Sequence, residues 1–358
     1  MKTKIIAYYL PQYHPTEHNN MWWGEGFTEW TNVGKARPLF KGHYQPKVPA
    51  DLGYYDLRLP ETRTQQAELA KKAGIEGFCY YHYWFENGNE ELDYPFKQVV
   101  KLGEPNFPFC LCWANESWNA KFWNIDGTVS KKLLAEQKYN GIEDNKAHFF
   151  ALLNAFKDKR YIKINNKLVF AIYRPLQFPN ISEFIKQWQV LALKNGFSGF
   201  HFIGYSLDPH EIDTILSQGF DAVNICRLNN FAMCNKPKLI KRIMVLFHKL
   251  FGRPYTNDYR KIYHYLVGDE AKKENVYPTI VPNWDHTPRS GKAGYLYTNS
   301  TPEYFEKHLV EVKELIDEKH EKILFLKSWN EWGEGNYVEP DLKFGHGYLN
   351  AIKKVFFQ

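Results

Sequence analysis

The architecture of this chain is clearest in residues 322–340, which read KILFLKSWNEWGEGNYVEP. The first five residues of this segment form a short apolar run of the kind that builds a buried strand. The following residues combine carboxylates, amides and aromatic rings around two glycines, a composition typical of a functional loop. A buried strand that ends in such a loop predicts one unit of a repeating β/α fold.

Seven similar apolar runs precede this one, and helical patterns lie between them, among them residues 94–102 and 181–194. Residues 161–167 predict a hairpin with its turn at Asn165 and Asn166. The runs are apolar throughout rather than alternating, which favours a parallel sheet covered on both faces. Eight β/α units close into a barrel more readily than they form an open sheet, so we expect a (β/α)8 TIM barrel that spans residues 1–358 as a single domain. The seven runs are residues 5–10, 76–81, 107–112, 168–172, 200–204, 222–226 and 276–281.

One region, at about residues 236–267, combines basic and apolar side chains. The first interpretation is a basic helical insertion after the sixth strand. The second is a helix that docks on a partner or makes peripheral contact with a membrane surface. The sequence leaves both interpretations open.

Composition limits the classes of function. The net charge of +6 is spread along the chain, so no nucleic-acid partner is predicted. Of five cysteines, Cys79, Cys110 and Cys112 lie in apolar runs and are expected to be reduced thiols of the core. No His or Cys set has the spacing of a zinc site, and neither a metal nor another cofactor is predicted. Without a secretory or membrane-spanning segment, we expect a cytoplasmic protein, either free or at the inner face of the membrane.

Aromatic residues make up 17% of the chain, and many lie beside polar residues. Rings with polar neighbours suit sugars, because a pyranose offers an apolar face to the ring and hydroxyls to the polar groups. In TIM barrels the site lies at the carboxyl ends of the strands. The substrate-binding residues predicted from these positions, and from the long loop after the first strand, are Tyr8, Tyr9, Gln12, Trp23, Glu29, Trp30, Tyr81, His82, Tyr83, Trp84, Trp113, Asn115, Glu116, Trp118, Tyr173, Arg174, Asn283, Trp284, Asp285, Asn330, Trp332 and Glu339.

Two carboxylates after the eighth strand are the catalytic candidates. Glu331 and Glu334 are three positions apart, close enough to face one cavity. Glycoside chemistry commonly uses two carboxyl groups, of which one protonates the leaving oxygen and the other acts as nucleophile or base. The alternative is that one of the pair caps a helix or binds a backbone amide. Glu339 is a third candidate, although it precedes a proline and can brace the loop instead.

The motifs resemble a known group of carbohydrate-active enzymes. The stretch WNEWGEG at 329–335, with Glu339 and Pro340, is similar to the corresponding stretch of glycoside hydrolase family 99 endo-α-mannosidases and endomannanases. The whole chain, through YYLPQYH at 8–14, WTNV at 30–33 and CWANE at 112–116, resembles the WbsX-type proteins more closely. Those proteins are usually labelled glycosyltransferases and occur in bacterial surface-polysaccharide loci.

The resemblance implies a retaining mechanism without a glycosyl-enzyme intermediate. By motif position, Glu331 removes the proton of the sugar 2-hydroxyl, which attacks the anomeric carbon to give a 1,2-anhydro sugar. Glu334 protonates the leaving group and later activates the incoming water. The substrate implied is an oligosaccharide or polysaccharide of α-mannoside-like type. Gly333 departs from the hydrolase pattern, which typically has His at that position.

Two other functions stay open at this stage. One is a glycosyltransferase of O-antigen or capsule biosynthesis that uses a nucleotide-sugar or lipid-linked donor. The chain lacks an Asp-x-Asp metal motif and a Rossmann-like pattern, which argues against the nucleotide-sugar form. The other is a glycan-binding barrel without catalysis, against which the presence of both Glu331 and Glu334 argues.

Overall fold

A computed structural model describes residues 2–123, 129–228, 239–240, 242–243 and 252–358 of the chain. Eight parallel strands form a closed barrel, because the first strand pairs with both the second and the eighth. The TIM barrel predicted from the sequence is therefore confirmed. The strands, numbered in chain order, are β1 (Lys4–Tyr9), β2 (Gly77–Trp84), β3 (Phe109–Trp113), β4 (Lys167–Ile172), β5 (Phe200–Ser206), β6 (Ala222–Ile225), β7 (Val276–Ile280) and β8 (Ile323–Leu326).

The barrel interior is filled by side chains rather than open. The ring of Tyr8 stacks on Tyr81 and on Phe325, at centroid distances of 5.4 and 5.2 Å. Its hydroxyl donates to Asn224 Oδ1 at 2.8 Å, so this buried polar group is satisfied. A ligand must therefore bind at an end of the barrel.

Helices surround the sheet, and several begin and end where the sequence signals them. Helix α4 and helix α7 match the predicted bounds at both ends, and Pro60 starts α3 at a position where a proline is favoured. The described helices are α1 (Glu17–Trp23), α2 (Glu29–Lys35), α3 (Pro60–Lys72), α4 (Tyr94–Leu102), α5 (Ile142–Ala151), α6 (Leu153–Lys157), α7 (Ile181–Lys194), α8 (Ile212–Ser217), α9 (Tyr259–Ile262), α10 (Thr287–Ser290), α11 (Pro302–Ile316) and α12 (Gly347–Phe357).

Loops at the carboxyl ends of the strands carry structure that the sequence did not reveal. The loop after β1 contains α1 and α2, each capped at its start by a threonine side chain. An antiparallel hairpin, Trp118–Trp123 with Val129–Ala135, follows β3. These elements build walls above the barrel.

Part of the predicted basic insertion at 236–267 lies outside the described residues. Its described end contains a short strand, Tyr255–Asp258, which pairs with Tyr295–Thr298, and then helix α9. Membrane contact through this region stays a prediction. Within the described ranges, no helix combines the length and the apolar character that crossing a membrane requires.

Candidate active site

A cleft of about 770 Å³ opens at the carboxyl ends of the barrel strands. Helices α1, α2 and α10 and the start of the hairpin after β3 form its walls. Both candidate carboxylates, Glu331 and Glu334, line the cleft. Other predicted residues that line it are Gln12, Trp23, Glu29, Tyr81, Tyr83, Glu116, Trp118 and Tyr173.

Backbone hydrogen bonds fix the position of Glu331. The hydroxyl of Ser328 accepts from the backbone N–H groups of Asn330 and Glu331, at 3.1 and 2.9 Å. The side chain of Asn330 bonds both the N–H and the C=O of Leu10, at 2.8 and 3.0 Å. Asn330 therefore joins the loop after β8 to the end of β1, and it supports the site rather than lining it.

Glu334 ends a short 3-10 helix, Trp332–Glu334, and Gly335 then reverses the chain with a φ of +54°. The backbone N–H of Asp285 donates to the carbonyl of Glu334 at 2.7 Å. A Cβ at position 335 would lie 2.6 Å from Asp285 Cβ and from Lys47 Nζ. Glycine is required here by both the backbone conformation and the close approach.

Arg289 joins Glu334 to the loop after β1. Its Nη1 donates to Glu334 Oε1 at 2.5 Å, and its Nε donates to Glu29 Oε1 at 2.9 Å. The carboxylate of Glu29 occupies the space beside Gly333, where any Cβ would overlap it. Gly333 therefore makes room for the contact between Glu29 and Arg289.

The two candidate carboxyl groups have opposite protonation tendencies. Burial, together with the negative charge of Glu334, raises the pKa of Glu331. Burial opposes ionisation of Glu334 as well, but the Arg289 guanidinium and a hydrogen bond from Glu331 outweigh it and hold the pKa of Glu334 well below its usual range. The pair therefore shares one proton, which resides on Glu331 in the free protein.

Lys327 supplies a second buried positive charge at the base of the cleft. Its Nζ lies 3.8 Å from Glu331 Oε1, beyond hydrogen-bonding distance. Burial alone would lower the pKa of Lys327, but the charges of Glu331 and Glu334 raise it above its usual value. The lysine therefore stays charged and favours a net negative charge on the pair.

Strand alternation separates the predicted aromatic residues of β2 into two sets. Tyr81 and Tyr83 face the cleft. His82 and Trp84 point outward to α5, where His82 Nε2 meets His148 Nε2 at 2.8 Å and Trp84 Nε1 donates to Asp144. Successive side chains of a strand face opposite sides, so these two belong to the packing of barrel and helices.

Three more predicted residues lie away from the cleft, two of them by the same rule and the third because of its depth in the barrel. Tyr9 faces α3 and donates to Gln66 Oε1 at 2.7 Å. Trp113 packs against α7 and donates its indole N–H to the carbonyl of Trp84. Tyr8 lies in the barrel interior, below the cleft.

Five further predicted residues support the loops, namely Trp30, Asn115, Glu116, Arg174 and Trp332. Asn115 bonds the backbone of Arg174 with both ends of its amide, and Arg174 donates to Glu116 at 3.0 Å. Trp30 packs on Trp332, at a centroid distance of 5.6 Å. All five take part in holding or joining loops, and of them only Glu116 lines the cleft.

Glu339 lies beneath the loop, away from the cleft. It accepts hydrogen bonds from Tyr55, Gln66 and Trp332, at 2.7–2.9 Å. Burial raises its pKa to about 7, although these donors favour the ionised form. The sequence left open whether Glu339 is a catalytic group or braces the loop. In the structure it lies where it braces the loop.

Asn283, Trp284 and Asp285 follow β7 but line a separate cavity of about 330 Å³. Asp285 is held by His43, Gln45 and Thr287, which donate to its carboxylate at 2.6–2.8 Å. These contacts hold its pKa at about 2, against the effect of burial. The side chains of these three residues therefore do not line the cleft, although the backbone N–H of Asp285 bonds the carbonyl of Glu334.

The sequence reasoning missed several residues that line the cleft, notably Asn32, Lys35, Arg289 and Lys327. Lys327 directly follows β8, and its position at a strand end was a usable signal. Arg289 lies in the short helix α10 and belongs to no motif, so only the folded chain reveals its contact with Glu334, 45 residues away.

Comparison with known proteins identifies the family. The model of the family described as "Glycosyltransferase WbsX" matches residues 5–352. The chain belongs to the WbsX family. Two uncharacterized proteins named WxcX, from two strains of Xanthomonas campestris pv. campestris, are each 32% identical over 358 residues. The alignment covers 98% of this chain but 49% of each WxcX protein, so the chain spans about half their length.

Two of the solved structures that share this fold are a glycoside hydrolase and a glycoside hydrolase-like protein. A GH99 endo-alpha-mannosidase from Bacteroides thetaiotaomicron superposes with a TM-score of 0.56 at 15% identity, over 98% of this WbsX chain and 95% of that one. A glycoside hydrolase-like protein superposes with a TM-score of 0.61 at 15% identity, over 99% and 94%. Identity at this level supports the shared barrel fold alone. The family match therefore shows membership, and the superpositions show the barrel.

Proposed function

We propose that the cleft cleaves or transfers glycosidic bonds of an oligosaccharide or polysaccharide, with Glu331 and Glu334 as the catalytic pair. One observation carries the proposal: two carboxyl groups meet in an aromatic-lined cleft at the barrel's carboxyl face, and their surroundings drive their pKa values apart. Such opposed pairs are the usual mark of acid and base partners. The resemblance extends the proposal to α-mannoside-like glycans of bacterial surface polysaccharides.

The proposed chemistry uses one proton on the pair throughout. In the first step the base takes the proton of the sugar 2-hydroxyl, and the bond from that oxygen to the anomeric carbon forms. The bond to the leaving oxygen breaks, and the acid protonates that oxygen. Water or a sugar hydroxyl then opens the 1,2-anhydro sugar by the reverse proton movements. The pair holds one proton before and after each step.

If Glu331 is the base and Glu334 the acid, the shared proton must lie on Glu334 when the substrate is bound. In the free protein Arg289 holds Glu334 ionised, and the proton lies on Glu331. Since the two carboxyl groups hydrogen-bond each other, the proton can pass between them when Arg289 turns from Glu334 to the substrate. Substrate binding thereby sets the active protonation state.

The test compares leaving groups. A panel of 2,4-dinitrophenyl glycosides needs no acid for departure of the phenolate, whereas natural glycans do. We expect Glu334→Gln to lose turnover of glycans by several orders of magnitude, to retain ligand binding, and to keep most of its first-step rate with aryl glycosides. Glu331→Gln should lose turnover of both, and a 2-deoxy glycoside should not react with the unaltered protein.

The control is Glu143→Gln, which removes an exposed carboxylate on α5. It should leave all rates unchanged. Equal loss of aryl glycoside turnover in both catalytic variants would contradict the assigned roles, and unchanged glycan turnover in Glu334→Gln would contradict the function.

A second candidate is a glycosyltransferase, which the family description favours. The same cleft would transfer a sugar from an oligosaccharide or lipid-linked donor to a glycan acceptor. Incubation with a labelled oligosaccharide donor and unlabelled acceptors separates the two: transfer gives longer products, whereas hydrolysis gives only shorter ones. Turnover of a nucleotide-sugar panel would instead support the nucleotide-sugar form of the transferase.

A further inference from the structure

A second cavity, of about 330 Å³, lies beside the catalytic cleft. The loop after β1, the residues after β7 and the loop after β8 enclose it. Its volume is at the lower end of ligand pockets, which hold roughly 300–1,000 Å³, and suits one sugar unit better than a long chain. We call this space the second cavity.

Two polar atoms of the second cavity, in side chains more than nine-tenths buried, have no hydrogen-bond partner in the part of the chain that the structure describes. They are the carbonyl oxygen Oδ1 of Asn283 and the indole Nε1 of Trp284. Both residues are more than nine-tenths buried, with exposed fractions of 4% and 6%. A buried acceptor and a buried donor without partners are costly, so their place in one cavity points to a polar ligand.

Lysine side chains line the same space. They are Lys41, Lys47 and Lys343, of which buried Lys47 is partly balanced by the charges of Asp285 and Asp341. In the described ranges, neither Lys41 nor Lys343 has a carboxylate within 4 Å of its ammonium. Lysines without an acidic partner favour an anionic ligand.

Aromatic rings complete the lining. Lys343 Nζ lies 4.4 Å from the ring centre of Tyr44 and 4.9 Å from that of Phe344. Both rings are half-buried and line the cavity, with the ammonium between them. A ring beside an ammonium matches a pyranose that carries a carboxylate, because the ring covers the apolar face of the sugar while the ammonium meets the acid group.

We propose that the second cavity binds a hexuronic acid unit of a glycan. The lysines meet its carboxylate, Asn283 accepts from a hydroxyl, and the Trp284 indole donates to another. This binding does not depend on the reaction in the cleft. It lies close to that reaction nonetheless, since Lys47 Nζ donates to the carbonyl of Gly335 at 3.1 Å, next to Glu334.

The experiment measures binding to the whole chain by calorimetry and by saturation-transfer NMR. The probes are methyl β-D-glucuronide, methyl β-D-glucoside and inorganic phosphate. We expect the glucuronide to bind at least tenfold more tightly than the other two. Trp284→Phe, which removes the N–H and keeps a ring, and Lys343→Gln should each weaken glucuronide binding at least fivefold.

Two lysine variants serve as controls. Lys353→Gln removes an exposed charge on α12 and should leave binding unchanged. Lys35→Gln removes a charge that lines the cleft, and should also leave it unchanged. Loss of binding in Lys35→Gln with retention in Lys343→Gln would place the sugar in the cleft and overturn the proposal. Equal affinity for glucuronide and glucoside, or for glucuronide and phosphate, would overturn it as well.

Discussion

Arg289 Nη1 lies 2.5 Å from Glu334 Oε1, while Arg289 Nε donates to Glu29 at 2.9 Å. One guanidinium thus bridges a catalytic candidate and a helix of the loop after β1, whose sequence positions differ by hundreds of residues. Such charge-assisted contacts hold a carboxylate ionised. The protonation of the catalytic pair therefore depends on residues outside the motif that contains it.

The first prediction concerns this contact. Without the guanidinium, the pKa of Glu334 rises from its low value, because only Glu331, Lys327 and His286 then oppose the effect of burial. If the active pair holds one proton, the acid limb of the pH–activity profile reports ionisation of the more acidic group. We expect Arg289→Gln to move that limb upward by at least one pH unit. Arg174→Gln, which removes a partner of Glu116 instead, should leave the limb in place. An unmoved limb in Arg289→Gln would contradict the assigned charge states.

The second prediction concerns Gly333. A methyl group there must displace the carboxylate of Glu29 and so break its contact with Arg289. We expect Gly333→Ala to lower turnover at least tenfold while the protein stays folded, as circular dichroism would check. Gly34→Ala is the matched control, because no atom lies within 4 Å of the added Cβ and α2 gains up to about 1 kcal/mol of helix stability. Full activity in Gly333→Ala would show that Glu29 is dispensable.

The third prediction concerns Glu339 and stability. Its pKa is about 7 in the folded chain, above that of an unfolded glutamate. Between pH 4.5 and 7 the folded state therefore binds more protons than the unfolded state, and this group lowers the free energy of unfolding by roughly 3 kcal/mol as pH rises. Glu339→Gln should remove that decline. Urea unfolding at pH 4.5 and at pH 7 measures this decline in the free energy of unfolding. Glu143→Gln is the control and should retain the decline. The same pH dependence in the unaltered protein and in both variants would refute the assignment.

The fourth prediction concerns metals. The proposed chemistry moves protons between two carboxyl groups and needs no metal ion. Activity should survive EDTA, measured with the substrate identified by the leaving-group test. Inhibition that a divalent ion reverses would favour the nucleotide-sugar transferase instead.

Much of the fold followed from the sequence, because each barrel strand is apolar along its whole length and each helix carries local signals. The bounds of α4 and α7 show this, as does the hairpin turn at Asn165 and Asn166, both of which adopt positive φ. The two helices of the loop after β1 were missed, since they are one or two turns long and have little apolar periodicity.

The site could be predicted only in part. Position at a strand end correctly placed Tyr81, Tyr83 and Tyr173 at the cleft, but the same criterion also selected His82 and Trp84, which pack against α5. A count of alternate residues along β2 would have separated the two faces. No such count could have found Arg289, because its role arises from a contact across the barrel mouth.

The sequence by itself determined the barrel and the placement of Glu331 and Glu334 after the carboxyl end of its eighth strand. It did so because apolar periodicity and strand order are local properties of the chain. Only the tertiary structure decided which of the two carboxyl groups carries the proton. That choice depends on burial and on the distance to Arg289 and Lys327, and such distances exist only once the chain has folded.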